Sequence, residues 1–242
     1  MSVKNLLEEV VVASKEASKD DLKSGGSGSF INAGGVYPTT IEKAFMTETK
    51  KGGIKLDLMF GGANKIDIEL YIISKKGGKL ITTCKMGGKT VTLPSYKMFV
   101  QLYYIITGKA PKLSELNLEE ETIKYKKFGK DITVEADTLV DLIGKEVNIG
   151  IRLEEQYDYE DGETVKSRLK TNQNGDVVYS KELESVFSKE GLSAQEVAKG
   201  VEEGTEMKSK DEFLRGDKGI KRVKLEAPEV EESEDEDDEV DF

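Results

Sequence analysis

The stretch GGIKLDLMFGGANKIDIELYIISKKGGKL, residues 52–80, decides the fold class. In Ile54–Phe60 the residues Leu56, Leu58 and Phe60 recur at every second position, and in Lys65–Ile73 so do Ile66, Ile68, Leu70 and Ile72. A period of two puts each set on one face of a strand. Between the second segment and the next stands Lys75-Lys76-Gly77-Gly78-Lys79, whose paired glycines supply the positive φ angles of a tight hairpin turn.

Working outward, Lys79–Cys84 and Lys89–Leu93 read as further strands, and Gly-Gly pairs stand at 34–35, 52–53, 61–62, 77–78 and 87–88. Short alternating segments with a turn signal every ten or so residues argue for an antiparallel meander that curls into a barrel or a sandwich. Pro94-Ser95 opens a helix over Tyr96–Thr107, and Gly108 and Pro111 close it. Tyr96, Met98, Phe99, Val100, Leu102, Tyr103, Tyr104, Ile105 and Ile106 nearly encircle it, so it packs against a sheet or a barrel end. Strands resume at Thr122–Phe128 and Val147–Tyr157; Asp161-Gly162 turns the chain into Thr164–Lys170, and Asn174-Gly175 marks another turn. Ser193 and Glu196 form a capping box for a last helix, Ala194–Glu203.

The ends differ from this body. Residues 3–22 read as an amphipathic helix carrying Leu6, Leu7, Val10, Val11 and Ala17, followed by a flexible linker from Gly25 to Ser29. A poorly ordered arm and a homodimerisation or docking helix both remain open for it. Beyond Gly204 apolar residues thin out, and from Glu226 to Phe242 stand eleven acids and no base. Such a run repels itself and buries nothing, so a disordered tail is expected. The resulting organisation is 1–29 helix and linker, 30–203 folded domain, 204–242 tail.

Composition narrows the chemistry. Hydrophobic residues are 37% of the chain and charged residues 34%, so part of it joins no core. Histidine and tryptophan are absent and Cys84 is the lone cysteine, which removes an internal disulfide, the common zinc sites and the commonest general base. No cofactor, no metal and no enzymatic activity are expected. The end of a phosphate-binding loop, Gly88-Lys89-Thr90, lacks the earlier glycine, since Thr83 stands there, and it leads into a strand. The acid-rich Tyr157–Glu163 fails the spacing of a calcium loop and reads as a hairpin. No apolar run approaches the ~20 residues of a membrane helix, and acids interrupt the N-terminal apolar residues, so a reduced cytoplasmic setting is expected.

Charge is segregated. The acids from Glu226 onward are eleven of 47, and the other 36 balance 36 bases; residues 43–112 hold thirteen lysines against four acids. A basic region on a chain of pI 4.9 remains compatible with nucleic acid. Single strands require cations for phosphates and aromatic faces for bases, the latter worth ~1–3 kcal/mol per base. The candidate contacts are Lys50, Lys51, Lys55, Lys75, Lys76, Lys79, Lys85, Lys89, Lys124, Lys126 and Arg152, with Tyr71 and Phe128 as stacking platforms. Phe128 shares a face with Lys124 and Lys126, whereas Tyr125 sides with Ile123; Tyr71 points away from the apolar face but sits beside Glu69. The competing reading is that these lysines keep hairpins soluble and the aromatics are core.

Three segments resemble the single-stranded DNA-binding (helix-destabilising) proteins of tailed phages: DEDDEVDF (Asp235 to Phe242), GGVYPTTIEKAF (Gly34 to Phe45) and SYKMFVQLYYIITGK (Ser95 to Lys109). The resemblance implies a mainly β, oligonucleotide-binding (OB) barrel with one inserted helix. It implies sequence-independent coating of single-stranded DNA in phage replication, recombination and repair, in the cytoplasm of the infected host. It further implies that Asp235, Glu236, Asp237, Asp238, Glu239, Asp241 and Phe242 bind a polymerase, helicase or primase. The chain departs from a zinc-carrying branch of such proteins, having no ligands for the metal, and from cellular relatives that stack bases on tryptophan. A strand-annealing or recombination-mediator protein and an acidic-tailed transcription or interaction adaptor are the alternatives.

Overall fold

The computed structural model describes Val3 and residues 28–29, 33–62, 65–86, 88–127, 130–160, 163–207 and 220–225. The expected helix over 3–22 apart from Val3, Phe128, the Asp161-Gly162 turn and the acidic residues 226–242 lie outside that set. The fold is mainly β, as the period-two segments imply.

The long strands β2 (Gly35–Glu48), β3 (Ile54–Gly61) and β4 (Ile66–Lys76) form a meander in the register that the alternation requires. Leu56 faces Leu70, Leu58 faces Ile68 and Phe60 faces Ile66 across β3–β4, all on the buried side. On β2 the register slips between Ile41 and Lys43, so Glu42 is an extra residue. The bulge keeps Ile41 inward on one side of it and Ala44 and Met46 inward on the other. The Glu42 side chain lies over Gly61, where a Cβ would sit 1.8 Å from its Oε1 atom and displace it.

The bent β2 serves three partners, the third being the strand Lys130–Leu139, which pairs at Phe45 and Met46. Thr40–Glu48 pairs with β3, while Gly35–Thr40 pairs antiparallel with β10 (Glu146–Glu155). The sheet order runs β14 (Ile220–Lys221), β10, β13 (Tyr179–Ser188), β1 (Gly28–Ser29), β4, β3, β2, β9 (Lys130–Leu139), β8 (Leu118–Lys127), with the additional β10–β2 pairing. The expected flexible linker is thereby corrected at its end: the backbone of Gly28–Ser29 pairs with both β4 and β13, whose edge groups require partners.

Helix α1 (Pro94–Thr107) starts on its proline and stops at Gly108 in the left-handed region, φ 71°. It sends Tyr96, Met98, Phe99, Val100, Leu102 and Tyr103 into the cluster formed by β2, β3, β4, β10 and β13. A second cluster lies on the other side of β2: Phe45, Met59, Ile123, Tyr125, Val134 and Ala136, covered by the β8–β9 hairpin. Val3 is buried in the main cluster, with its N–H donated to Asp137 Oδ2.

Other boundaries move for local reasons. Lys79–Cys84 breaks at Thr82 into β5 (Lys79–Ile81) and β6 (Thr83–Met86), and β6 pairs with β7 (Lys89–Thr92) as a separate hairpin. The capping box forms as expected, but helix α2 is only Ala194–Lys199, because Gly200 takes the left-handed conformation at φ 66°. No helix among the described residues is long and apolar enough to cross a membrane.

The chain divides into two units: 1–154 with 180–221, and 155–179 with 222–242. In the second unit β11 (Tyr157–Glu160) pairs with β12 (Glu163–Leu169), and the Asn174-Gly175 turn forms around Asn172, whose Oδ1 accepts the Asn174 and Asp176 N–H groups. The division departs from the expected 30–203 domain because this hairpin segment is exposed and contributes no residue to the buried clusters.

Candidate nucleic-acid interface

Lys50 and Lys51 project from the tight connection between β2 and β3. Thr49 closes it: its N–H donates to the Gly53 carbonyl, its carbonyl accepts the Gly52 N–H, and its hydroxyl accepts the Gly53 N–H at 3.0 Å. With the backbone satisfied locally, the two ammonium groups are left to solvent. Beside it lies the β4–β5 hairpin, whose Gly77 and Gly78 both adopt positive φ and place Lys76 opposite Lys79. The tips adjoin, since a Cβ on Gly52 would stand 2.7 Å from Lys75 Cδ and 3.1 Å from its Nζ. Lys50, Lys51, Lys75, Lys76 and Lys79 are all exposed, and none is ion-paired among the described residues. Glu48, at the end of β2, is the nearest acid along the chain.

The neighbouring sheet face is of opposite character. Lys55, expected as a phosphate contact, is held at 3.0 Å from Asp57 Oδ1 and 2.7 Å from Glu69 Oε1. Burial opposes its charge, yet hydrogen bonds to Glu69 and Asp57 push its pKa up to about 12. Asp57 is 5% exposed and its pKa is raised, burial outweighing the help from Lys55. Asp57 faces Glu69 across the strands, so two carboxylates hold one lysine on this face. Directly opposite Lys55 stands Tyr71, 55% exposed as its alternation implies, with its hydroxyl 3.4 Å from Glu69 Oε2.

The remaining expected contacts are dispersed. Lys85 and Lys89 are exposed on the β6–β7 hairpin. Lys124 and Lys126 point outward from β8, Lys126 lying 3.8 Å from Asp131. Tyr125 turns the other way and packs on Phe45 with ring centroids 5.6 Å apart. Arg152 is half-buried and directed to Glu184 at 3.1 Å, which ties it to the sheet rather than to solvent.

The second unit holds a basic group that the sequence reading passed over. Lys166, Arg168 and Lys170 are exposed on or beside β12, and Arg222 and Lys224 on the segment after β14. Tyr159 is 64% exposed, and Tyr157 donates its hydroxyl to the Lys224 carbonyl at 2.7 Å. Arg168 is partly spent, at 2.6 Å from Asp158 and 2.9 Å from Glu160. The Tyr159 N–H and Arg168 hold the Asp158 carboxyl below its usual range. The signal was available in TVKSRLK, residues 164–170, where basic residues alternate with apolar or small ones, and in KRVK, residues 221–224.

No protein-family description, no curated protein and no solved structure matches this chain.

Proposed function

We propose that this protein binds single-stranded DNA through an OB-type barrel, without base preference and without chemistry. The observation that carries the reading is the meeting of two lysine-tipped turns, Lys50-Lys51 and Lys75 to Lys79, the second on the strand that carries the exposed ring of Tyr71 four residues before Lys75. Phosphates need unpaired cations and bases need an open aromatic face, and these two supplies lie on one strand here.

The barrel reading is supported by the pairing of β2 with both β3 and β10. Counting β2, β3, β4, β10 and β13 as five strands, the order β13–β10–β2–β3–β4 has a helix inserted before the fourth. OB folds are five-stranded, partly open barrels that bind oligonucleotides on strands two and three and on the loops after strands one and four. Here the first such loop carries Lys50 and Lys51. The carboxylates around Lys55 direct phosphates away from the sheet face and toward the tips. In this reading the acidic residues 235–242 recruit replication, recombination and repair partners of a phage, a polymerase, helicase or primase, and compete with DNA for the lysines.

Titration of labelled oligo(dT) against duplex DNA of equal length tests the proposal. Preference for the single strand is the expected result. Equal affinity for both, or binding to neither, overturns it; annealing of complementary strands redirects it to the annealing class.

A further inference from the structure

We propose that Lys221 is a clamp that fastens the chain just before its acidic run to the paired side chains of Glu154 and Glu182, more tightly as pH rises through neutrality. The inference stands on the geometry of the first unit and does not require the DNA-binding reading.

Strand β14 is two residues long and pairs in parallel with β10, Ile220 with Leu153 and Lys221 with Glu154. Two ladder positions hold a strand weakly in water, so side chains decide whether it stays. Lys221 Nζ lies 2.8 Å from Glu154 Oε1 and 3.5 Å from Glu182 Oε2, reaching over β10 to β13. Both glutamates are about three-quarters covered, with side-chain exposures of 22% and 23%. Both carboxylates lie within reach of the one ammonium, so two like charges are crowded at a single cation.

Of the other charged groups on these strands, Arg152 and Glu184 neutralise each other. Arg152 of β10 is paired with Glu184 of β13 at 3.1 Å, and Lys181 of β13 stands opposite Gly28 of β1. Burial, then the hydrogen bond and charge of Glu154, push the Glu182 pKa up to about 7. Glu154 is held below its usual range, since hydrogen bonds from Glu182 and Lys221 overcome its burial. Lys221 itself is raised, by its bond to Glu154 above all, and stays cationic throughout.

Below neutrality Glu182 is protonated, and Lys221 faces a single negative charge. Above it, Lys221 faces two. If Lys221 leaves, the two carboxyls lose their cation and Glu182 holds its proton more strongly. The undocked state therefore binds more protons than the docked one, so docking gains with rising pH. In the sequence, eleven acids follow from Glu226 onward.

Hydrogen exchange of the full chain between about pH 6 and about pH 8.5, corrected for the intrinsic rate, tests this at Ile220–Lys221. Protection there should rise several-fold across the range. Lys221→Met should abolish it at every pH, Lys221→Arg should retain it, and Glu182→Gln should flatten the pH dependence. Unchanged protection in β3 and β4 verifies that each variant folds. A flat or falling profile in the unmodified protein, or an unaltered rise in Glu182→Gln, overturns the clamp.

Discussion

The Lys50/Lys51–Lys75/Lys76/Lys79 end of the β2–β4 meander and the Lys55 face a few residues away have similar lysine-rich sequences but opposite electrostatics. At the tips the lysines stand on turns whose backbone bonds are closed by Thr49 and by paired glycines, so no carboxylate is brought to them. On the face, the strand register sets Asp57 opposite Glu69 and Lys55 between them. Lysine count alone does not mark a binding surface. What matters is whether cross-strand neighbours have already neutralised the charge.

The largest expected effect comes from removing the tip. Replacing Lys50, Lys51, Lys75, Lys76 and Lys79 by Gln should make the slope of log affinity against log salt shallower by up to about 3.5, at about 0.7 per phosphate contact. These side chains are exposed, so the melting temperature should hold. An unchanged slope in a folded variant removes the tip from the interface and collapses the contrast. The reciprocal change is Lys55→Met. It leaves Asp57, 5% exposed, beside Glu69 without their cation, so stability should fall by about 1–3 kcal/mol while the salt slope stays as it was. A shallower slope with intact stability would assign Lys55 to DNA instead.

The meander was legible because its apolar residues alternate within each strand, from Leu56 to Phe60 and from Ile66 to Ile72. Strand β9 was equally legible in Ile132, Val134 and Ala136 but was passed over, and β13 was not, because Lys181 and Ser185 stand at the positions in phase with Leu183 and Phe187. Nothing local distinguishes Lys55 from Lys51; the carboxylate that captures it most closely lies on the next strand, fourteen positions away. The exposed state of Tyr71 and the buried side of Tyr125 were readable from parity alone.

The capping box was legible too, but only half of what its carboxylate does. Glu196 Oε2 accepts the Ser193 N–H as the motif requires, while Oε1 accepts the N–H and hydroxyl of Thr205 and the N–H of Glu206. Though burial opposes it, hydrogen bonds from Thr205 and Ser193 draw its pKa down to about 2. This buried carboxylate is satisfied by neutral donors, where Asp57 depends on a cation, and salt should therefore discriminate the two. Its folded pKa lies below the ordinary unfolded value of about 4.3, so its contribution is full above that value and is lost as pH falls toward 2. Glu196→Gln should cost on the order of 1–2 kcal/mol at neutral pH, with the difference closing in acid. Denaturant melts at several pH values measure it; a deficit that persists below the folded pKa would mean that shape rather than charge is responsible.

The smallest effect sits on the border between the two regions. Tyr71 is opposite Lys55 on the carboxylate face, yet its ring is open and it precedes the Lys75 tip by four residues. Tyr71→Ala should weaken oligonucleotide binding by about 1 kcal/mol, the low end for a stacked base, because Glu69 beside it disfavours the adjoining phosphates. The salt slope should not move, since no cation is lost. Tyr71→Phe keeps the ring and gives up only a 3.4 Å hydrogen bond to Glu69, so it should bind like the unmodified protein. The loss in the alanine variant should be similar for oligo(dT), oligo(dC) and oligo(dA), because every base offers a π-face. If alanine and phenylalanine weaken binding alike, the hydroxyl acts and stacking does not. If neither changes affinity, DNA stays on the lysine tips and never crosses onto the sheet face.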